Sequence, residues 1–190
     1  MKNPQGRKTQ ITRERIIETA FEMTVENGIE SVSSPTLAKR LKCSVQPIYY
    51  VFENMEELKV AITEKVIQKY NDYMLTGESP ANMKTSDIFS WNNIQFAKKY
   101  PNLYKLLFMT EQKENCISKI DIVGDRETLL SLIKEDEDVC DEVATKLFVN
   151  MWAFTHGIAT LLVTKTADFD NAQINEMLSD VTGGLLKQYK

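Results

Sequence analysis

Residues 33–52 read Ser33-Ser34-Pro35-Thr36-Leu37-Ala38-Lys39-Arg40-Leu41-Lys42-Cys43-Ser44-Val45-Gln46-Pro47-Ile48-Tyr49-Tyr50-Val51-Phe52. Either serine can cap the free amides of a short helix, and Pro35 in its first turn has no amide to leave unpaired. Leu37, Ala38 and Leu41 give that helix an apolar face, and Lys39 and Arg40 project away from it. A tight connection at Lys42-Cys43 follows. Ser44 is expected to cap a further short helix holding Ile48, Tyr49 and Phe52, with Pro47 tolerable only in its first turn. Two short helices joined by about three residues make a helix-turn-helix.

Upstream, Thr12 opens an amphipathic helix with Ile16, Ile17, Ala20, Phe21, Thr24 and Val25 on adjacent faces, stopped by Asn27-Gly28. Glu14, Glu18, Glu22 and Glu26 line its other side. Downstream, Asn54 and Glu57 have capping-box spacing ahead of Leu58, Ala61, Ile62, Val66, Ile67 and Tyr70. That fourth helix is predicted to run to about Leu75 and to connect the head to the rest of the chain. Helical patterns follow near 86–99, from Pro101 to about Glu114, and over 125–136, 139–164 and 171–188, with a loop over 115–124. No alternating run long enough for a sheet stands out, so the fold class is all-α, with about nine helices. The domains are 1–53, a helix-turn-helix domain with a basic N-terminal arm, and 54–190, a connector helix and helical bundle.

The chain has 190 residues and a formal net charge of −4. The charge is uneven: residues 1–65 hold ten Lys or Arg against nine Asp or Glu, leaving 13 basic and 18 acidic residues in the remainder. Lys2, Arg7, Lys8, Arg13 and Arg15 face only Glu14 at the start, an excess that can meet phosphates while the acidic body stays clear of them. Cys43, Cys116 and Cys140 show no metal-ligand or disulfide spacing, and His156 is the one histidine. The basic N-terminus leads into no apolar segment and no uninterrupted 18-residue apolar run occurs, so a cytoplasmic protein without membrane contact is expected. No nucleophile-base-acid set, phosphate loop or metal cluster is visible, so neither an enzyme nor a cofactor is expected. The acidic run from Glu135 to Glu142 is read as a solvated turn rather than a metal site.

Residues 12 to 61 resemble the DNA-binding domain of the TetR/AcrR family of transcriptional regulators. The matching features are Thr12-Arg13-Glu14-Arg15-Ile16, Asn27-Gly28, Leu37-Ala38-Lys39-Arg40, Ser44, Ile48-Tyr49, Phe52 and Glu56-Glu57-Leu58, in order and at the family's spacing. Trp152, His156, Gly157 and Ala159 resemble a W-x-x-x-H-G-x-A stretch of one branch of such regulators. The resemblance implies a nine-helix homodimer with a three-helix DNA-binding head and a dimer interface built by the last two helices. It further implies a repressor released from a palindromic operator by a small-molecule effector. Four positions depart from the family pattern. Lys42 stands where glycine is common, at a cost of about 1 kcal/mol if the turn needs positive φ. Thr24 stands in place of phenylalanine, Pro47 in place of glycine or alanine, and Met55 in place of a lysine that often meets phosphate.

On that reading Val45 and Gln46 are the expected base-edge contacts, Val45 against a thymine methyl and Gln46 with adenine. Tyr49 faces the same groove. Ser33, Thr36, Lys39, Lys42, Ser44 and Tyr50 are expected to position the head on phosphates. Ile48 and Phe52 are assigned to the core. For the pocket, Trp91, Phe96, Tyr104, Phe108 and Met109 are the candidates from the first half of the body. Met151, Trp152, Phe154 and His156 are those from the second half, and together they suit an apolar or aromatic effector. Ordinary core packing competes for each of them, and for His156 beside Gly157 close helix packing competes with pocket hydrogen bonding. The partners expected are double-stranded operator DNA, a second copy of the chain and an unidentified small molecule. The alternative is a helical interaction module whose head has lost DNA binding.

Overall fold

A computed structural model describes residues 11–81, 83–110 and 126–189. Most of the basic arm and the loop expected over 115–124 lie outside these residues. Among them are nine α-helices, one 3-10 turn and no strand. The chain packs as two units that divide inside one helix, between Lys65 and Val66.

The head contains α1 (Arg13–Asn27), a 3-10 turn (Ile29–Ser31), α2 (Ser34–Leu41), α3 (Gln46–Tyr49) and the start of α4 (Met55–Thr76). Thr12 caps α1, its hydroxyl accepting from the Arg15 amide at 3.3 Å. Gly28 ends that helix at φ 81°, backbone that favours glycine. At α2 the choice between serines resolves to Ser33, which forms a reciprocal capping box with Thr36. At the start of α4 Glu57 N donates to Asn54 Oδ1 at 3.0 Å, and Glu57 Oε2 accepts from the amide of Glu53, one residue before Asn54, at 2.7 Å. Ile16, Ala20, Leu37, Ala38, Leu41, Ile48, Phe52, Leu58 and Ile62 are all buried, so the helices share one small apolar core. Thr24 is also fully buried, and its hydroxyl is satisfied inside the helix by the Ala20 carbonyl at 2.9 Å. A polar residue is therefore tolerated at this core position.

The third helix differs from expectation. It is only Gln46–Tyr49, and its N-cap is Val45, which has no side-chain oxygen to offer. Ser44 is exposed and caps nothing. Phe52 lies beyond the helix, where its amide still donates to Ile48 O at 2.9 Å and its ring stays in the core.

The body comprises the rest of α4, α5 (Thr85–Lys99), α6 (Pro101–Phe108), α7 (Arg126–Glu137), α8 (Asp141–Val163) and α9 (Asn171–Tyr189). α5 is the hub: it packs against α6, α7, α8 and α9. α6 stops at Phe108 rather than near Glu114, because the backbone leaves the helix at Met109 and the Thr110 hydroxyl takes the Leu106 carbonyl at 2.7 Å. α8 is long and apolar enough by composition to cross a membrane, but its Ala144, Leu147, Met151, Thr155, Ile158 and Ala159 positions are buried. Trp91, Ile94, Met151, Ile158, Ile174 and Leu178 form one core cluster, which ties α5 to α8 and α9. The chain turns sharply after α4 at Gly77, where an added Cβ would come within 2.6 Å of Asn92 Oδ1 and 2.8 Å of Tyr73 O.

Candidate functional site

In the head, α3 is held from below and open above. Ile48 and Phe52 are buried beneath it, whereas Val45 is 40% exposed, Tyr49 47% and Tyr50 79%. Gln46 is exposed as well. Residues 45–52 thus separate a core-facing pair from an outward-facing set, as helical periodicity requires. The Tyr49 hydroxyl donates to Ser34 Oγ at 3.1 Å, tying the outward tyrosine to the first turn of α2. Sequence reasoning treated Ser34 only as a possible cap and missed this positioning bond.

Ser33 and Thr36 are occupied with each other: their hydroxyls lie 2.9 Å apart, and Thr36 Oγ1 also donates to Ser31 O at 2.9 Å. Lys42 sits at φ 57° and ψ 43°, the left-handed region, and so takes the conformation for which glycine is common. It and Lys39 are exposed. Arg40 is committed elsewhere, its two terminal nitrogens each 2.6 Å from the Glu26 carboxylate, and Glu22 is 3.6 Å away. The Arg40 hydrogen bonds hold the Glu26 carboxyl below its ordinary range, and the same pair raises the arginine.

In the body, α4, α5, α7 and α8 surround a cavity of about 60 Å³. α8 contributes Phe148, Met151, Trp152 and Thr155, spaced along one helix face, and α5 contributes Ser86, Asp87, Ser90 and Asn93. Tyr70 and Glu137 also line it. The Tyr70 hydroxyl donates to Asn93 Oδ1 at 2.9 Å, and burial pushes its pKa up, so it stays a neutral donor. Lys84 Nζ reaches Glu137 Oε1 at 2.7 Å, and Asp136 Oδ2 accepts from the Ser86 amide at 2.7 Å. His156 Nδ1 lies 2.9 Å from Trp152 O, with its ring 4.4 Å from the Trp152 ring and 4.8 Å from that of Phe108. Among the described residues no group of three or more His, Cys, Asp or Glu is placed to hold a metal.

Residues 16–62 match the family described as bacterial regulatory proteins, tetR family. It is the head of this chain that is similar to the TetR family. Two HTH-type transcriptional repressors of Mycobacterium tuberculosis, from strains H37Rv and CDC 1551, are each 33% identical to it over 69 residues. An uncharacterized HTH-type transcriptional regulator of Mycobacterium bovis matches equally. The match covers 36% of this chain and 26% of each relative, so it spans about a quarter of the length of those proteins. Beyond the head the likeness is one of fold: a TetR variant from Acinetobacter baumannii AYE, in complex with minocycline, superposes with a TM-score of 0.55. It does so at 18% identity, over 94% of this chain and 96% of the other. The family that the head resembles is one of regulatory proteins.

In the body the aromatic residues divide by location. Met151, Trp152 and His156 line the cavity. Trp91, Phe96 and Tyr104 are instead buried in the packed interior, where Trp91 Nε1 donates to Glu78 O at 3.0 Å and Phe96 meets Tyr70 edge-on at 5.1 Å. Phe108 packs against Tyr104 and His156, Phe154 against the Trp91 cluster, and Met109 is 40% exposed. Gly157 does not mark a tight helix crossing within the chain, because a Cβ there would meet nothing within 4 Å. The polar lining residues Asp87 and Asn93 were missed, since a search for aromatic and methionine side chains passes over them, and Glu137, read as part of a solvated turn, is instead only 6% exposed and lines the cavity. Their recoverable signal is the helical spacing of Ser86, Ser90 and Asn93 on one face of α5.

Proposed function

We propose that this chain regulates transcription as a homodimer, with residues 1–53 as the DNA-binding domain and residues 54–190 as connector and regulatory domain. Val45, Gln46 and Tyr49 enter the major groove, and Ser33, Thr36, Lys39, Lys42, Ser44 and Tyr50 set the register on phosphates. The carrying observation is the outward projection of Val45, Gln46 and Tyr49 from a helix whose Ile48 is fully buried. The body cavity receives a small effector that prefers one spacing of the two heads, so its binding shifts the dimer away from its operator. Repression relieved by that effector, in the cytoplasm, is the mode that agrees with the repressor relatives.

The test is selection of bound fragments from a genomic DNA library, followed by the Gln46→Ala variant. A palindromic site should be enriched, and the variant should lose about 1–3 kcal/mol of binding with relaxed preference at one position of each half-site. Weak binding of all fragments, abolished by salt and indifferent to the substitution, would identify a head that no longer reads sequence.

A further inference from the structure

Among the described residues the cavity wall is acidic. Asp87 and Glu137 both line it, and Asp87 feels the charges of Glu137 and Asp136 together with that of the Lys84 ammonium. Lys84 is engaged by Glu137 and Asp136 by the Ser86 amide. Asp87 forms no ion pair among the described residues. Burial first, and then Glu137 and Asp136, hold its carboxyl above the ordinary range, while Lys84 pulls the other way. A carboxylate kept partly from water without a counter-ion is destabilising unless something positive joins it.

A second, independent feature lies in the same cavity. Asn93 is only 4% exposed, and its Nδ2 has no hydrogen-bond partner although its Oδ1 is used by Tyr70. The nearby Tyr104 hydroxyl interacts with the Asn93 amide but does not reach hydrogen-bond geometry with it. Trp152 Nε1, on the same cavity wall, is likewise buried without a partner. Buried donors left unpaired call for an acceptor. The same cavity is lined by Phe89, Phe148 and Trp152, aromatic surfaces that attract flat apolar groups and organic cations.

We infer that the cavity takes an aromatic organic cation bearing an oxygen acceptor, with its positive centre beside Asp87 and Glu137 and its oxygen toward Asn93 and Trp152. This rests on the reading of the cavity as the effector site and narrows the effector from apolar or aromatic to cationic. Neutral aromatics fill the same walls but leave Asp87 uncompensated. Anionic ones add to the repulsion.

The test uses the full chain without DNA and a matched pair of probes. These are (4-methoxybenzyl)trimethylammonium and its neutral carbon isostere, 4-methoxyneopentylbenzene, titrated by calorimetry and by quenching of tryptophan fluorescence. The cation should bind at least about tenfold more tightly than the isostere. Asp87→Asn, which is nearly isosteric and removes a charge that burial penalises, should keep the helical circular dichroism and erase the preference. Trp152→Phe should weaken both probes and leave their ratio unchanged. Equal affinities, tighter binding of the neutral probe, saturable binding of neither, or a preference that survives Asp87→Asn would each overturn the inference. Operator selection is measured separately, so a head that fails to read DNA leaves this result standing, and failure here leaves the head's reading untouched.

Discussion

Lys42 shows how a single residue carries a cost the fold accepts. The turn between α2 and α3 demands a left-handed residue there, since its amide bonds back to Lys39 O at 3.2 Å and the next amide to Ala38 O at 3.0 Å. A side chain with a Cβ is strained in that region, whereas glycine is not. Lys42→Gly should therefore stabilise the protein by up to about 1 kcal/mol, read as a raised midpoint of chemical denaturation at constant m-value. The same change removes an exposed positive charge, so if Lys42 meets a phosphate, operator affinity should fall and its dependence on salt should weaken, although the protein is more stable.

At the scale of elements, α1 and α2 are clasped by Arg40 and Glu26 in a two-bond fork, with Glu22 adding a weaker attraction. Because the pair is exposed, its contribution is one of geometry more than of energy. The sign of its pH dependence follows from the depressed Glu26 pKa. The folded state holds the ionised carboxylate more firmly than the unfolded chain does. The stabilisation is thus complete above the ordinary glutamate range and is lost as pH falls through the folded value. Thermal melts of the wild type and Glu26→Gln should differ at neutral pH and converge in acid. Parallel melting curves across that range would show that the clasp contributes nothing to the fold of the head. α3 depends on its neighbours in another way: four helical residues are far too short to persist alone, and its position is set by Ile48 and Phe52 below and the Tyr49–Ser34 bond beside it.

For the molecule as a whole, the outer face of α8 is the feature the monomer leaves unexplained. Val149, Ala153, Gly157 and Leu161 recur every fourth residue, are all exposed, and no charged residue interrupts the helix from Leu147 to Val163. Glycine and alanine there would let a second helix approach closely, and Gly157 has room for one. In the homodimer proposed above, pairing of two chains through this face would cover it. Ala153→Arg should convert the protein to monomers in light scattering after size exclusion, keep the helical circular dichroism, and reduce operator affinity because each head then binds its half-site singly. An unchanged mass would move the interface elsewhere.

The helices and the head were legible in the chain because their causes are local. Caps at Thr12, Ser33 and Asn54, stops at Gly28 and Gly77, and apolar residues at helical spacing act over one or two turns, and such short-range instructions survive translation into structure almost unchanged. The third helix was overdrawn at both ends because, within so short a segment, the burial of Phe52 and the backbone at Val45 outweigh any capping preference of Ser44. The cavity had no local cause at all. It is the space that α4, α5, α7 and α8 leave unfilled when they meet, so whether an aromatic residue lines it or fills the core depends on every neighbour at once. Asp87 and Glu137, far apart in sequence, share one wall only because α7 packs on α5. Periodicity specifies which face of each helix turns inward; the mutual fit of all the inward faces specifies where a void remains and what chemistry surrounds it.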